Sequence, residues 1–543
     1  MSKNKSKNVK IKESNEKYSI SFWSFVSMIF LTVYGLGNSL QVYYQMGYAS
    51  ITYLLIAAVF FFIPYSFIVA EMSSAFKEKS GGIFSWMRES VSEKFSLIGT
   101  FIWYGGFVIL WFSASTICIS LSVAIFGVDT TSNWHFLGFN SPQTLALVGA
   151  FYMIIVAFVA TKGLKKLTIL SNISIVTVIL GHILILGGGL VIFALQGFKF
   201  QQGFDFTNIN SYFYGPNPNY STFLPALGFL VFTIFTFAGM ENSGGLVDKV
   251  HNAKKNVPKA IVLSTIVITI LYVVGVLILG MVCNWNDTFG SDKVNLANFS
   301  VYIYQQEFYR LGILLGFDPS KAVILGQWIN RIMKILTLIG LTSVPLRIYT
   351  PIKHMFEGLP KGLLPEKLLK DNKHGMPQNA IILQTCIIVF FVLLLGFGGG
   401  SVSSIFNKMT LMTFVSGTVP LSFIIYSYIK FKKNDEIKKE YEFFSKKSGI
   451  FVATICFIVV TFTNIFSIIE PALEGNIENS IWVGGGPVLF GIVAFLLYKK
   501  YLKYKSLETE LNNLNDSLNT NSSDEVLGTK ELVEDAAISS IDS

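Results

Sequence analysis

The chain is 543 residues long, 52% hydrophobic and only 14% charged, with a mean hydropathy of +0.55. A soluble domain carries about 25% charged residues, so this composition excludes an ordinary soluble protein and specifies one that crosses a membrane many times. The net charge of +9 is spread over alternate loops instead of one basic face, which argues against a nucleic-acid partner.

Residues 1–20 are polar and lysine-rich and are expected to form a cytoplasmic tail, with no cleavable signal peptide ahead of the first apolar run. Apolar windows of roughly 20 residues, the length that crosses a bilayer core, then recur along the chain. About twelve are expected, at 21–46, 49–76, 96–126, 143–161, 168–196, 221–242, 257–283, 320–346, 379–398, 403–430, 449–469 and 481–500. Residues 21–503 therefore read as one transmembrane domain in the lipid bilayer. Residues 504–543, rich in Ser, Asn, Asp and Glu, read as a disordered acidic cytoplasmic tail.

The first span is interrupted by Tyr34-Gly35-Leu36-Gly37-Asn38-Ser39. A helix that only had to span lipid would stay intact, because each unpaired amide in hydrocarbon costs several kcal/mol. An unwound turn there exposes amides at the start of a second half-helix, and amides plus the positive dipole end suit a carboxylate. Glycines that merely allow close helix packing are the alternative. Gly35 and Gly37 are expected to supply backbone conformations closed to other residues, while Asn38 and Ser39 need partners or a use. In the fifth span His182 is either a proton relay or a packed neutral ring.

The sixth span carries the second break, Phe237-Ala238-Gly239-Met240-Glu241-Asn242. Glu241, an ionisable residue at bilayer depth, must face the interior. It can hold a substrate ammonium, carry a coupling proton or brace the helix junction, and bracing is preferred. Phe235 and Phe237 are either caps on an occluded solute or core. In the eighth span Arg331 and Lys334 share one helical face and need anionic partners. A structural ion pair with Glu241 is preferred over capture of a substrate carboxylate, and Glu71, near the inner end of span two, is a weaker partner. Two matched breaks five spans apart suggest an inverted repeat of five spans used twice, with a solute bound between the half-helices.

The loops supply orientation. Lys77, Lys79, Arg88 and Lys94, then Lys162, Lys165 and Lys166, then Lys249, Lys254, Lys255 and Lys259, and two further clusters after spans eight and ten alternate with nearly uncharged loops. By the positive-inside rule both termini are cytoplasmic. The outward loop 284–320 holds an aromatic stretch, Phe299 to Phe317, expected to lie in the interface. The inward loop 347–378, with Pro351, Pro360, Pro365 and Pro377, suggests a short helix pair. Cys118, Cys283, Cys386 and Cys456 form no metal or disulfide pattern, and no phosphate-binding loop occurs. No cofactor is expected, and a gradient or exchange remains as the energy source unless a partner subunit supplies it.

Together these motifs resemble the amino acid–polyamine–organocation (APC) permeases, and within them the glutamate:γ-aminobutyrate antiporter group and its uncharacterised inner-membrane permease relatives. The residues that carry the resemblance are Gly35-Leu36-Gly37, Ala70-Glu71-Met72-Ser73-Ser74, Ser80-Gly81-Gly82-Ile83-Phe84-Ser85-Trp86, Phe237-Ala238-Gly239-Met240-Glu241, Asp248 to Ala260, Tyr349-Thr350-Pro351-Ile352-Lys353 and Asn372 to Pro377. The resemblance implies an all-α, LeuT-like, five-plus-five inverted-repeat fold with discontinuous helices 1 and 6 and alternating access. It implies an amino acid or related amine as substrate, with protons or a counter-substrate as possible co-partners. It also implies that Gly35, Leu36, Gly37, Asn38 and Ser39 hold the substrate carboxylate while Phe237, Ala238, Gly239 and Glu241 line the other side. Asn38 stands where an aliphatic residue is common. Ser171 to Thr177 contains no lysine where some proton-coupled members have one in span five. The expected function is secondary active transport across the cytoplasmic membrane. The other classes weighed are a membrane amino-acid sensor, for which no effector domain is evident, an enzyme, for which no catalytic pair is evident, and a channel, for which no pore motif is evident.

Overall fold

A computed structural model describes residues 20–77, 79, 82–243, 250–360 and 362–520. The tail before Ile20, Ser80, Gly81, Asp248, Lys249 and residues 521–543 lie outside the described residues.

Among the described residues the chain is helical, with only two isolated β-bridges. The first span is two helices, Phe22–Val33 and Leu36–Met46. Gly47, at φ 53°, then turns the chain into the second span, which runs to Ala75 through a π-helical turn at Ala58–Phe62. Among the described residues, eleven helical stretches are long and apolar enough to cross a membrane. The first of these, Leu36–Ala75, contains both the second half of span one and all of span two, which accounts for the difference from twelve.

Burial sorts the bundle into centre and rim. In their most apolar windows, Leu36–Ala75 is 67% buried and Phe406–Lys433 61%, whereas Leu164–Leu195 is 22% and Ile477–Asn513 28%. Spans five and twelve expose Ile169, Ile173, Val176, Ile492 and Leu496; in water such a face would be unfavourable by about 25 cal/mol per Å², and in lipid it is matched. The central core joins aromatic residues of spans one, two, six and seven, among them Phe61, Phe62, Tyr65, Phe232, Phe237 and Tyr272.

Two expectations change. Phe299–Leu314 is a helix packed into the bundle instead of an exposed aromatic stretch: it buries Phe299, Tyr304, Glu307 and Phe308, packing most extensively on Pro319–Gly340 of span eight. The last helix, Ile477–Thr520, continues past residue 503, so the composition change there is not the end of ordered helix. Cys386 is exposed, unlike the other three cysteines, which are buried and free. The proline-rich loop after span eight does form helices, Val344–Gly358 and Glu366–Leu369.

Candidate functional site

The break in span one is two residues long. Tyr34 (φ −82°, ψ 128°) and Gly35 (φ −136°, ψ 124°) are extended, and the helix resumes at Leu36. Gly35 caps that helix without a side chain, and the first turn leaves the amides of Leu36 and Gly37 without intrahelical acceptors. Gly37 lies inside this first turn, its surface is exposed, and a Cβ placed on it would meet no atom within 4 Å. The half-helix therefore begins beside open space. The expectation that both glycines need unusual dihedrals is corrected, since an extended Gly35 is open to any residue.

The conformational demand falls in span six instead. Leu230–Thr236 ends in a turn where Gly239 adopts φ +112°. There a Cβ would stand 3.2 Å from the carbonyl oxygen of Thr32, so the two breaks touch backbone to backbone. Only glycine combines that dihedral with that approach.

One hydroxyl joins the breaks. Tyr272 Oη of span seven accepts from the Gly35 amide at 3.0 Å and from Asn38 Nδ2 at 3.4 Å, and lies 3.1 Å from the Val33 carbonyl and 3.2 Å from the Thr236 carbonyl. A phenol has one proton to donate, so the two carbonyls share it. Groups freed by unwinding in both spans thus find a common partner, as backbone breaks at bilayer depth require.

Glu241 is buried and accepts three donors: Tyr65 Oη at 3.1 Å, the Gly239 amide at 3.2 Å and, weakly, Trp103 Nε1 at 3.5 Å. Asn242 Nδ2 donates to the Gly239 carbonyl at 3.1 Å. These contacts tie the span-six turn to spans two and three. The expected pair of Glu241 with Arg331 or Lys334 is a correction. Lys334 Nζ donates to Ser300 Oγ at 2.8 Å and lies over Tyr304, and Arg331 lies over Trp328. Lys334 thus faces the helix Phe299–Leu314, and Arg331 lies beside Gly127 at the end of span three, where an added Cβ would stand 3.0 Å from its Nε.

Phe237 is fully buried between Phe62, stacked at 4.6 Å, and the edge of Tyr272 at 5.4 Å, so it is core. Ala238 is half-buried, and Phe235 packs on Phe414. On the first-span side, His182 packs against Tyr34 at 5.4 Å, with Nδ1 2.6 Å from the Val178 carbonyl. That contact puts the proton on Nδ1, because two acceptors would repel. His182 Nε2 and the neighbouring Tyr34 and Ser39 hydroxyls are buried without a hydrogen bond of good geometry. The lysine-free stretch of span five binds span eight through Ser174 Oγ and the Gly340 carbonyl at 2.7 Å.

A second buried polar centre lies at the end of span two that carries the Ala70-Glu71 motif. Glu71 pairs with Lys432 at 2.7 Å, both side chains fully buried. Its carboxylate also accepts from Tyr428 Oη at 2.9 Å and from the amides of Phe443 and Phe444 at 2.8 and 2.9 Å. Lys432 in turn donates to the Phe444 carbonyl at 2.7 Å. This clamp fastens the segment between spans ten and eleven onto span two. Lys432 sits in a run of basic loop residues, which hid it from a reading by composition.

Comparison with known proteins extends the picture beyond geometry. Residues 20–495 match the family model described as "Amino acid permease". The inner membrane transporter YjeM of Salmonella typhimurium is 35% identical over 495 residues, covering 90% of this chain and 98% of that protein. The glutamate/gamma-aminobutyrate antiporter of Lactococcus lactis subsp. lactis is 23% identical over 461 residues, covering 83% of this chain and 84% of that protein. Among solved structures, MhsT in complex with L-phenylalanine aligns with a TM-score of 0.49 at 15% identity, over 82% of this chain and 98% of that one.

Proposed function

The chain belongs to the amino acid permease family, and on that premise we propose that it moves a zwitterionic amino acid or amine through the space beside the paired breaks. The observation that carries this reading is the arrangement around Tyr272: two interrupted helices meet, and the start of one, at Leu36 and Gly37, borders open space. The substrate carboxylate sits on the amides of Leu36 and Gly37, where a helix N-terminus stabilises an anion by about 0.3–1 kcal/mol, and by up to about 2 kcal/mol when partly buried. Asn38 and Ser39 add side-chain donors. The ammonium faces the carbonyls of the span-six turn around Ala238 and Gly239. Glu241 acts as a brace that keeps the turn open, since its hydrogen bonds run to span two, span three and its own turn.

His182 lines the wall behind Tyr34 as a neutral acceptor. Arg331 and Lys334 serve the outer face and take no part in substrate charge balance. The relative's named substrates, glutamate and γ-aminobutyrate, both carry a carboxylate and an ammonium, so exchange of two such solutes fits this site. Residues 21–503 form the transport domain in the cytoplasmic membrane, with both tails, 1–20 and 504–543, on the lysine-rich cytoplasmic side. The substrate leaves chemically unchanged.

A thermal-shift screen of amino acids, γ-amino acids and polyamines on the purified protein tests this reading. A ligand that binds only the folded state at 100 times its Kd adds about 2.7 kcal/mol of stability. An amino acid that raises the melting temperature of wild type but not of Gly37→Leu is expected. A response confined to polyamines, or equal in both proteins, contradicts the carboxylate site.

A further inference from the structure

Glu307 stands apart from everything used above. It lies on the helix Phe299–Leu314, its side chain is fully buried, and neither carboxyl oxygen has a hydrogen-bond partner among the described residues. It points at Gly188-Gly189, where span five leaves the π-helical turn Ile183–Gly187. A Cβ on Gly188 would lie 3.1 Å from Glu307 Oε1, and one on Gly189 3.8 Å away. The glycines make room for the carboxyl and offer it no polar side chain.

The surrounding elements supply no counter-charge. Span five presents only glycine and aliphatic side chains over residues 183–191. The end of span seven presents the Cys283 thiol, whose carbonyl is taken by Tyr43 Oη at 2.6 Å. The outer half of span one presents the phenols Tyr43 and Tyr44. The short helix Trp285–Phe289 carries Asp287, which is exposed. On span eight, Lys334 and Arg331 are engaged with Ser300, Tyr304 and Trp328. On its own helix, Tyr304 lies one turn before, and Arg310, one turn after, makes no ion pair with it among the described residues.

An ionised carboxylate in such a place is unfavourable by several kcal/mol, and the group takes a proton instead. Burial accordingly pushes the Glu307 carboxyl well above the ordinary carboxylate range. The helix that carries it is tied to the substrate site. Phe299 stacks on Tyr44 of the Leu36–Met46 half-helix at 5.2 Å.

We propose that Glu307 is a proton-binding site on the outer gate: the carboxyl takes one proton from the outer solution when Phe299–Leu314 seats against span five, and returns it as that helix lifts. The outward orientation rests on the transport reading above; the protonation itself does not. The closed form holds the raised proton affinity, so its advantage is complete below the ordinary carboxylate range and is lost as outer pH rises through the raised value. Between those limits the closed-to-open ratio falls about tenfold per pH unit for one proton.

Two measurements on the full chain in lipid nanodiscs and liposomes test this. Infrared difference spectra over a pH titration should show a protonated carboxyl that persists above the ordinary carboxylate range in wild type and is missing in Glu307→Gln. Glu307→Gln should also fold, and the outer-pH dependence of its exchange should flatten while exchange itself survives. The same carboxyl signal in both proteins overturns the proposal, as does an unchanged pH dependence in the variant. If no amino acid is transported at all, the infrared titration still decides whether Glu307 holds the proton, and Glu307→Ala provides a second variant for that spectrum.

Discussion

Tyr272 is the residue on which the site depends most. Its phenol supplies a partner to backbone groups from both breaks, and a buried donor or acceptor left unsatisfied costs about 1–3 kcal/mol. Tyr272→Phe keeps the ring contacts with Phe237 and Tyr34 and removes only the hydroxyl. It is expected to lower the melting temperature and to reduce exchange at least tenfold, measured on reconstituted protein. Gly239→Ala tests the other break: φ +112° is a region where a side chain is strained by about 1–3 kcal/mol, and the new methyl presses on Thr32. The variant should be destabilised, whereas Gly35→Ala, at an extended dihedral, should be tolerated in folding. None of this weighting was visible in the sequence. Gly-x-Gly drew attention to Gly35, but a single tyrosine in an aromatic-rich span carries no local mark of a tertiary role.

The breaks themselves were legible as elements, because glycine and polar residues at bilayer depth have few explanations. The partner of Glu241 was not legible. Charge pairing suggested Arg331 or Lys334, yet spans six and eight do not bring them together, and neutral donors on spans two and three satisfy the carboxylate. If Glu241 is a brace, Glu241→Gln, which keeps an acceptor, should retain much of the activity, while Glu241→Ala should lose most of it. Equal loss in both would assign the charge itself a role. The clamp between span two and the segment after span ten gives a parallel test. Removing one partner of a buried pair costs about 3–5 kcal/mol, and replacing both is often near neutral. Lys432→Met should therefore unfold at lower temperature than the double variant Glu71→Met/Lys432→Met, as measured by thermal denaturation in detergent. The helix Phe299–Leu314 was misread for a related reason: an aromatic stretch in a loop looks interfacial, and only packing reveals that its aromatic face is buried.

At the scale of the whole molecule, hydropathy alone located the membrane spans, because a bilayer core imposes one length on all of them. Which spans form the centre followed from folding and not from hydropathy: the strongly apolar span five is at the rim and the less apolar span ten is central. The central claim is that two broken helices, joined by Tyr272, hold an amino acid at the exposed start of Leu36–Met46. Its most direct test is counterflow of a labelled amino acid in proteoliposomes, comparing wild type with Gly37→Leu. The account predicts rapid, saturable exchange by wild type and near-complete loss in a Gly37→Leu protein that melts normally, since the added side chain fills space that is otherwise open. Wild-type exchange by that variant would contradict it.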